Sequence, residues 1–114
     1  MNIRDQIPIC PHGSRESLDF TLVQLCDFLN RTVEGEIKYT SGYRCEACNK
    51  TAGGEVNSSH LRGKAVDIIP TSSGQRYQII ELSIAKRCRR IGIYKDHIHT
   101  DLDESLPQFV MWVE

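Results

Sequence analysis

Ser58-Ser59-His60-Leu61-Arg62-Gly63-Lys64-Ala65-Val66-Asp67 is the stretch around which the chain is organised. It sets a histidine and an aspartate seven residues apart, with a glycine between them. Its second half runs on through Ile68-Ile69 and stops at Pro70, which predicts a strand over 64–69. Alternation along that strand puts Asp67 on one face with Ala65 and Ile69, pointing inward. A lone buried carboxylate is costly unless it is paired or bound to a metal. Further along, Asp96-His97-Ile98-His99-Thr100-Asp101 supplies two more histidines and further carboxylates. A catalytic zinc site takes three protein ligands and leaves one position open for water. His60, Asp67 and His99 are a chemically sensible set of nitrogen and oxygen donors for it.

The flanking sequence places these residues on elements. Ile91 to Tyr94 and Ile98 to Leu102 read as two strands joined by a tight turn at Lys95-Asp96, and Phe109 to Val113 as a last strand. Over 97–102, His97, His99 and Asp101 share one face, and Ile98, Thr100 and Leu102 the other. Asp96 lies in the turn, three residues before His99, where a carboxylate can be aimed at the attacking water as a general base must be. Upstream, Glu36 to Thr40 alternates as a strand and runs into the turn Ser41-Gly42-Tyr43-Arg44. An arginine there can bind a substrate carboxylate or stabilise a developing oxyanion. Residues 45–52 are expected to form a short helix, broken by Gly53-Gly54.

Two longer helices complete the pattern. Leu18, Leu22, Leu25 and Leu29, joined by Cys26, predict a helix over 15–31 with Ser14 as its cap. Tyr77, Ile80, Ile84 and Cys88 predict a second over 75–89, with Lys86, Arg87, Arg89 and Arg90 at the negative end of its dipole. Helix, strand, short helix, strand, helix and three strands predict an α+β fold, a small antiparallel or mixed sheet with two main helices packed on it.

The 114 residues fit one domain spanning 1–114. A net charge of -1 argues against nucleic acid or an anionic membrane as the main partner. No apolar run approaches the ~20 residues that cross a bilayer. Met1 to Gln6 lacks the apolar core of a signal peptide, so the expectation is cytoplasmic synthesis without a leader. Reduced thiols are expected for the five cysteines on that ground. Cys26 and Cys88 sit on apolar helix faces and read as core residues. Cys45-x-x-Cys48 stays open among a redox pair, a disulfide, half of a metal knuckle and coincidence. A knuckle needs four ligands, and Cys10 and His12 complete a set only if the fold brings them there. A disulfide involving Cys10 is the other arrangement open to these residues. Tyr43 and Trp112 read as packing residues and His12 as an exposed loop histidine.

Several motifs then fall in order: Ser41-Gly42-Tyr43-Arg44, Asn49, Gly53-Gly54, Asn57-Ser58-x-His60-x-x-Gly63-x-Ala65-x-Asp67, Gly92-Ile93-Tyr94 and Asp96-x-x-His99-x-Asp101. Together they resemble the zinc D-Ala-D-Ala carboxypeptidases and the related L-alanyl-D-glutamate endopeptidases of bacteria and phages. Their fold is similar to that of the signalling domain of Hedgehog proteins. The resemblance covers roughly residues 14–105. It implies Zn2+ as cofactor, with His60, Asp67 and His99 as ligands. It implies Asp96 as the catalytic base, Arg44 as a group that binds substrate or stabilises the transition state, and Ser58 near the substrate backbone. Gly63 lets the chain pack closely beside the first ligand. The implied substrate is a peptidoglycan stem peptide, cut either at D-Ala-D-Ala or at L-Ala-D-Glu. The small size and missing leader favour a phage-type lysin, a monomer that acts on the cell wall after phage-type release or as a virion component.

The sequence departs from the family pattern in places. His97 stands where the family has an aromatic or apolar residue, and it is read as a substrate contact or a supporting donor, or else as a solvent-facing residue. Asp101 is expected to orient a ligand or to bind nearby backbone. Cys45 and Cys48 replace small residues or proline. The alternative reading is a non-catalytic zinc-binding interaction or virion-assembly domain of the same fold. The acid retained at Asp96 favours an enzyme.

Overall fold

Leu22, Leu25, Cys26 and Leu29 recur at helical spacing and form the buried stripe of α1, Phe20–Thr32. This computed structural model describes residues 2–114, so Met1 of the N-terminal stretch read above lies outside it. The helix starts later than Ser14 predicts. Arg15–Ser17 is a separate 3-10 turn, Leu18 is extended, and Asp19 is the cap of α1. Its carboxylate accepts the Thr21 and Leu22 amides at 3.1 and 3.2 Å, a cap that stabilises a helix by about 1 kcal/mol. Leu18 still reaches the core from outside the helix.

The chain continues through β1 (Lys38–Ser41), α2 (Glu46–Thr51), β2 (Ala65–Ile69), α3 (Ser73–Ala85), β3 (Arg90–Ile93), β4 (Ile98–Asp101) and β5 (Val110–Val113). The five strands form one sheet in the order β1-β2-β4-β3-β5. Pairing is antiparallel except between β3 and β5, which run parallel. This is the mixed sheet of an α+β fold. Val66 and Ile68 of β2, Ile91 of β3 and Ile98 of β4 join Leu22, Leu29 and Ile79 in one apolar cluster.

The buried face of α3 is rotated from the expected one. Tyr77 and Ile84 are exposed, and the buried positions are Gln75, Ile79 and Ser83. Gln75 tolerates burial because its amide is used. Nε2 donates to the carbonyls of Glu34 and Glu36 at 3.4 and 3.0 Å, and Oε1 accepts the Thr71 amide at 2.9 Å. Apolar periodicity does not register a satisfied polar residue. The basic run also lies beyond the helix. Arg87 adopts a left-handed φ of 66°, and Arg90 opens β3.

Residues directly opposite across paired strands share a face. Asp67 pairs with His99, His99 with Gly92, and Gly92 with Trp112. This row lies on the sheet face turned away from Val66, Ile68, α1 and α3. The alternation read for Asp67 holds, but "inward" needs correcting: Asp67 faces a cleft on the far side of the sheet, not the main core. Gly92 is what lets the row close up, because a Cβ there would stand 2.6 Å from the Trp112 ring.

Candidate active site

His60 lies in a 3-10 turn, Ser59–Arg62, that enters β2. Ser58 caps this turn, its hydroxyl accepting the His60 amide at 3.1 Å. Gly63 ends it with a φ of 66°. A side chain at Gly63 would also collide with the Ser17 carbonyl, so two constraints require glycine here. The turn holds His60 almost fully buried.

The hydrogen bonds decide which nitrogens are free. His60 Nδ1 lies 2.7 Å from the Gly42 carbonyl, which can only accept, so Nδ1 carries the proton. Nε2 is then the lone-pair nitrogen. It is buried, has no hydrogen-bond partner among the described residues, and stands 3.4 Å from Asp67 Oδ1. His99 is set the opposite way round. Its Nε2 donates to Asp101 Oδ2 at 2.7 Å, which leaves Nδ1 facing Asp67 Oδ1 at 3.2 Å. One donor atom from each of His60, Asp67 and His99 lies within 4.8 Å of the other two. An orphaned buried nitrogen, a second ring nitrogen and a carboxylate oxygen converging in this way fit a divalent metal with nitrogen and oxygen preference.

The electrostatics agree. Burial opposes ionisation of Asp67, yet the His60 and His99 rings beside it hold its carboxyl well below the ordinary range. Burial also opposes a charge on His99, but the Asp101 and Asp67 carboxylates outweigh it and raise its pKa. The pair therefore favours positive charge at this point, a proton or a cation.

Asp101 is the anchor beneath His99. It is fully buried, and its carboxylate accepts from Ser59 Oγ at 2.9 Å, Arg90 Nε at 2.9 Å, the Asp103 amide at 3.1 Å and His99. Burial alone would raise its pKa, but these donors bring it below the ordinary value. The expected role of orienting a ligand matches this geometry.

The donor set opens into a cleft of about 380 Å³, also lined by Arg44, Ser58, Tyr94, His97 and Trp112. Arg44 enters from the end of β1. Its amide donates to the His60 carbonyl at 3.1 Å, and its buried Nε has no partner among the described residues. A guanidinium held in this way is available to an anionic group. His97 lines the cleft with its ring stacked on Tyr94 at 4.3 Å between centroids.

Asp96 is placed differently from the expectation. Its side chain is 84% exposed and does not line the cleft. It turns to His97 instead, with Oδ1 2.7 Å from Nδ1, and this imidazole holds its carboxyl below the ordinary value. The tight turn explains the geometry: the Tyr94 amide bonds the His97 carbonyl at 3.0 Å, which pushes Asp96 to the tip.

Trp112, Arg90 and Glu114 are among the cleft residues that the sequence reading did not place there. Trp112, expected only to pack, lies 5.5 Å from the His99 ring and donates from Nε1 to Tyr94 Oη at 3.1 Å. Arg90 belonged to a run read as complementing the negative end of a helix dipole, yet it is the ion-pair partner of Asp101. Glu114 brings another carboxylate to the cleft rim. Glycine at 92, facing a tryptophan strand, was the available signal for Trp112; for Glu114 there was none.

Comparison with known proteins adds a family. Residues 5–103 match the family model described as Peptidase M15. A search of curated proteins found no match.

Proposed function

The chain belongs to the peptidase M15 family, a family of metallopeptidases, and from that premise we propose that it is a zinc-dependent hydrolase of peptidoglycan stem peptides. The observation that carries this reading is the convergence of His60 Nε2, His99 Nδ1 and Asp67 Oδ1 at the floor of a cleft that also presents Arg44. When bound by these residues, zinc supplies Lewis-acid polarisation of the scissile carbonyl and an activated water.

The protein's own side chains do the rest. Asp101 and the Gly42 carbonyl fix the two imidazoles in the tautomers that ligation needs. Arg44 pairs with a carboxylate of the stem peptide or with the developing oxyanion. Asp96 forms a hydrogen-bonded pair with His97, which lines the cleft. In this reading Asp96 is the base that takes the proton from water and returns it to the leaving amine, and His97 holds its carboxylate ionised and contacts substrate. Ser58 caps the His60 turn and lines the cleft beside the peptide backbone. The substrate places the action at the cell wall, after phage-type release or as part of a virion, and the protein works as a monomer.

A second reading, a zinc-binding interaction or assembly domain without turnover, draws on the exposure of Asp96. Mass spectrometry of a peptidoglycan digest tests both. Release of terminal D-alanine identifies a carboxypeptidase, and fragments split between L-Ala and D-Glu identify an endopeptidase. Intact stem peptides after incubation with zinc-loaded protein would favour the non-catalytic reading.

A further inference from the structure

Four donor side chains meet outside the cleft. The sulfurs of Cys10, Cys45 and Cys48 and a ring nitrogen of His12 lie within 4.8 Å of one another. His12 Nδ1 is 3.4 Å from Cys45 Sγ and 3.5 Å from Cys48 Sγ. With Zn–S near ~2.3 Å and Zn–N near ~2.05 Å, a nitrogen and a sulfur ligand of a tetrahedral site stand roughly 3.6 Å apart. The observed spacings match that edge. The Cys45 amide also points at Cys10 Sγ from 3.3 Å, a donor of the kind that supports a thiolate ligand. The three cysteines form no disulfide.

We propose that Cys10, His12, Cys45 and Cys48 bind a second zinc ion in a closed structural site, distinct from the set in the cleft. Three thiolates and an imidazole are the soft donors that select zinc, and four protein ligands leave no position for substrate. The Cys45-x-x-Cys48 spacing suits one half of such a site, and Cys10-x-His12 provides the other from a segment broken by Pro11 and Gly13. Binding releases the thiol protons, so the site loosens in acid.

The location gives the site a purpose. The Cys10 amide donates to the Tyr43 carbonyl at 3.0 Å, and the Gly42 amide to the Pro8 carbonyl at 2.7 Å. Gly42 in turn accepts the His60 ring proton, and Arg44 directly precedes Cys45. A metal here clamps residues 8–12 onto the segment that aims His60 and carries Arg44. A small domain has little core to spare for fixing such irregular segments, and metals commonly take that role.

Protein purified under reducing conditions from zinc-supplemented cells tests this. Metal analysis is expected to give two zinc ions per chain, falling to one in Cys48→Ser and to one in His60→Ala. Cobalt-substituted wild-type protein is expected to show sulfur-to-cobalt charge transfer in the near ultraviolet, kept in His60→Ala and lost in Cys48→Ser. The cobalt spectrum of the wild type does not depend on either variant folding. One zinc per chain without the thiolate band would overturn the proposal, as would an intact mass short by the two hydrogens of a disulfide. The two variants also separate failure of this site from failure of the cleft site.

Discussion

Asp67 and His99 stand opposite one another in the β2–β4 ladder, and their side chains meet across it at 3.2 Å. Two of the three cleft donors are therefore placed by strand register. A slip of one residue between the two strands would put the two side chains on opposite faces of the sheet. His60 is added by a turn whose ends, Ser58 and Gly63, are fixed by a cap and a close approach. The site is thus tied to the most regular part of the fold, which suits a centre that needs preformed geometry.

Asp101 tests the support beneath the site. Asp101→Asn keeps the shape but removes the charge that fixes the His99 tautomer. Zinc affinity of the cleft site, measured by chelator competition, is expected to fall about ten- to a hundredfold. Unchanged affinity would show that His99 needs no such anchor.

The Asp96–His97 pair makes a kinetic prediction. Asp96→Asn is expected to retain zinc and lose roughly 10²–10⁴ in kcat. With Asp96 as the proposed base, and because the His97 imidazole depresses its pKa, the acid limb of kcat/KM is expected below the ordinary aspartate range. His97→Gln should move that limb upward, toward about pH 4. A limb that stays in place in His97→Gln means that Asp96 is not the titrating base.

Gly92→Ala probes the row on the cleft face. The new methyl meets the Trp112 ring, so the ring must shift or the strands must part. The expected cost is about 1–3 kcal/mol in denaturant unfolding. The emission of Trp112, the sole tryptophan, should shift with it. Wild-type stability and emission would mean that the ring moves aside freely.

Acid stability follows from Asp103. It is almost fully buried and bonds Arg62 Nε at 2.6 Å and Ser105 Oγ at 2.6 Å. Burial works against its charge, but these donors bring its pKa below the ordinary value. A carboxyl depressed in the folded state stabilises above its unfolded pKa of about 3.9, and that contribution is lost as pH falls through the folded value. Asp103→Asn should therefore be destabilised at pH 7, by roughly 1–3 kcal/mol. It should also lose stability less steeply than wild type below about pH 4. Parallel unfolding curves across that range would contradict the assignment.

Much of this was legible in the residues. The leucine stripe of α1 reports burial directly, and the polar–apolar alternation of β2 and β4 reports which side chains share a face; they predicted these three elements and the common face of His97, His99 and Asp101. What escaped depends on partners distant in sequence. The inner face of α3 is set by Gln75 bonding to carbonyls of residues 34 and 36. Arg90 read as part of a basic helix end, whereas β3 brings it beside Asp101. Asp96 was located correctly in its turn, but its direction follows from how tightly that turn closes, which spacing does not encode. The meeting of Cys10 and His12 with Cys45 and Cys48 likewise needed the fold.

The most direct test of the account takes wild type and His60→Ala, strips both of metal, restores zinc, and follows hydrolysis of a soluble stem peptide with the metal content measured in the same samples. Stripped wild type is expected to be inactive and to be restored by zinc, and His60→Ala to bind one zinc ion fewer and stay inactive. Full activity in stripped wild type, or in reloaded His60→Ala, would show that His60, Asp67 and His99 do not hold the metal that makes this cleft a peptidase.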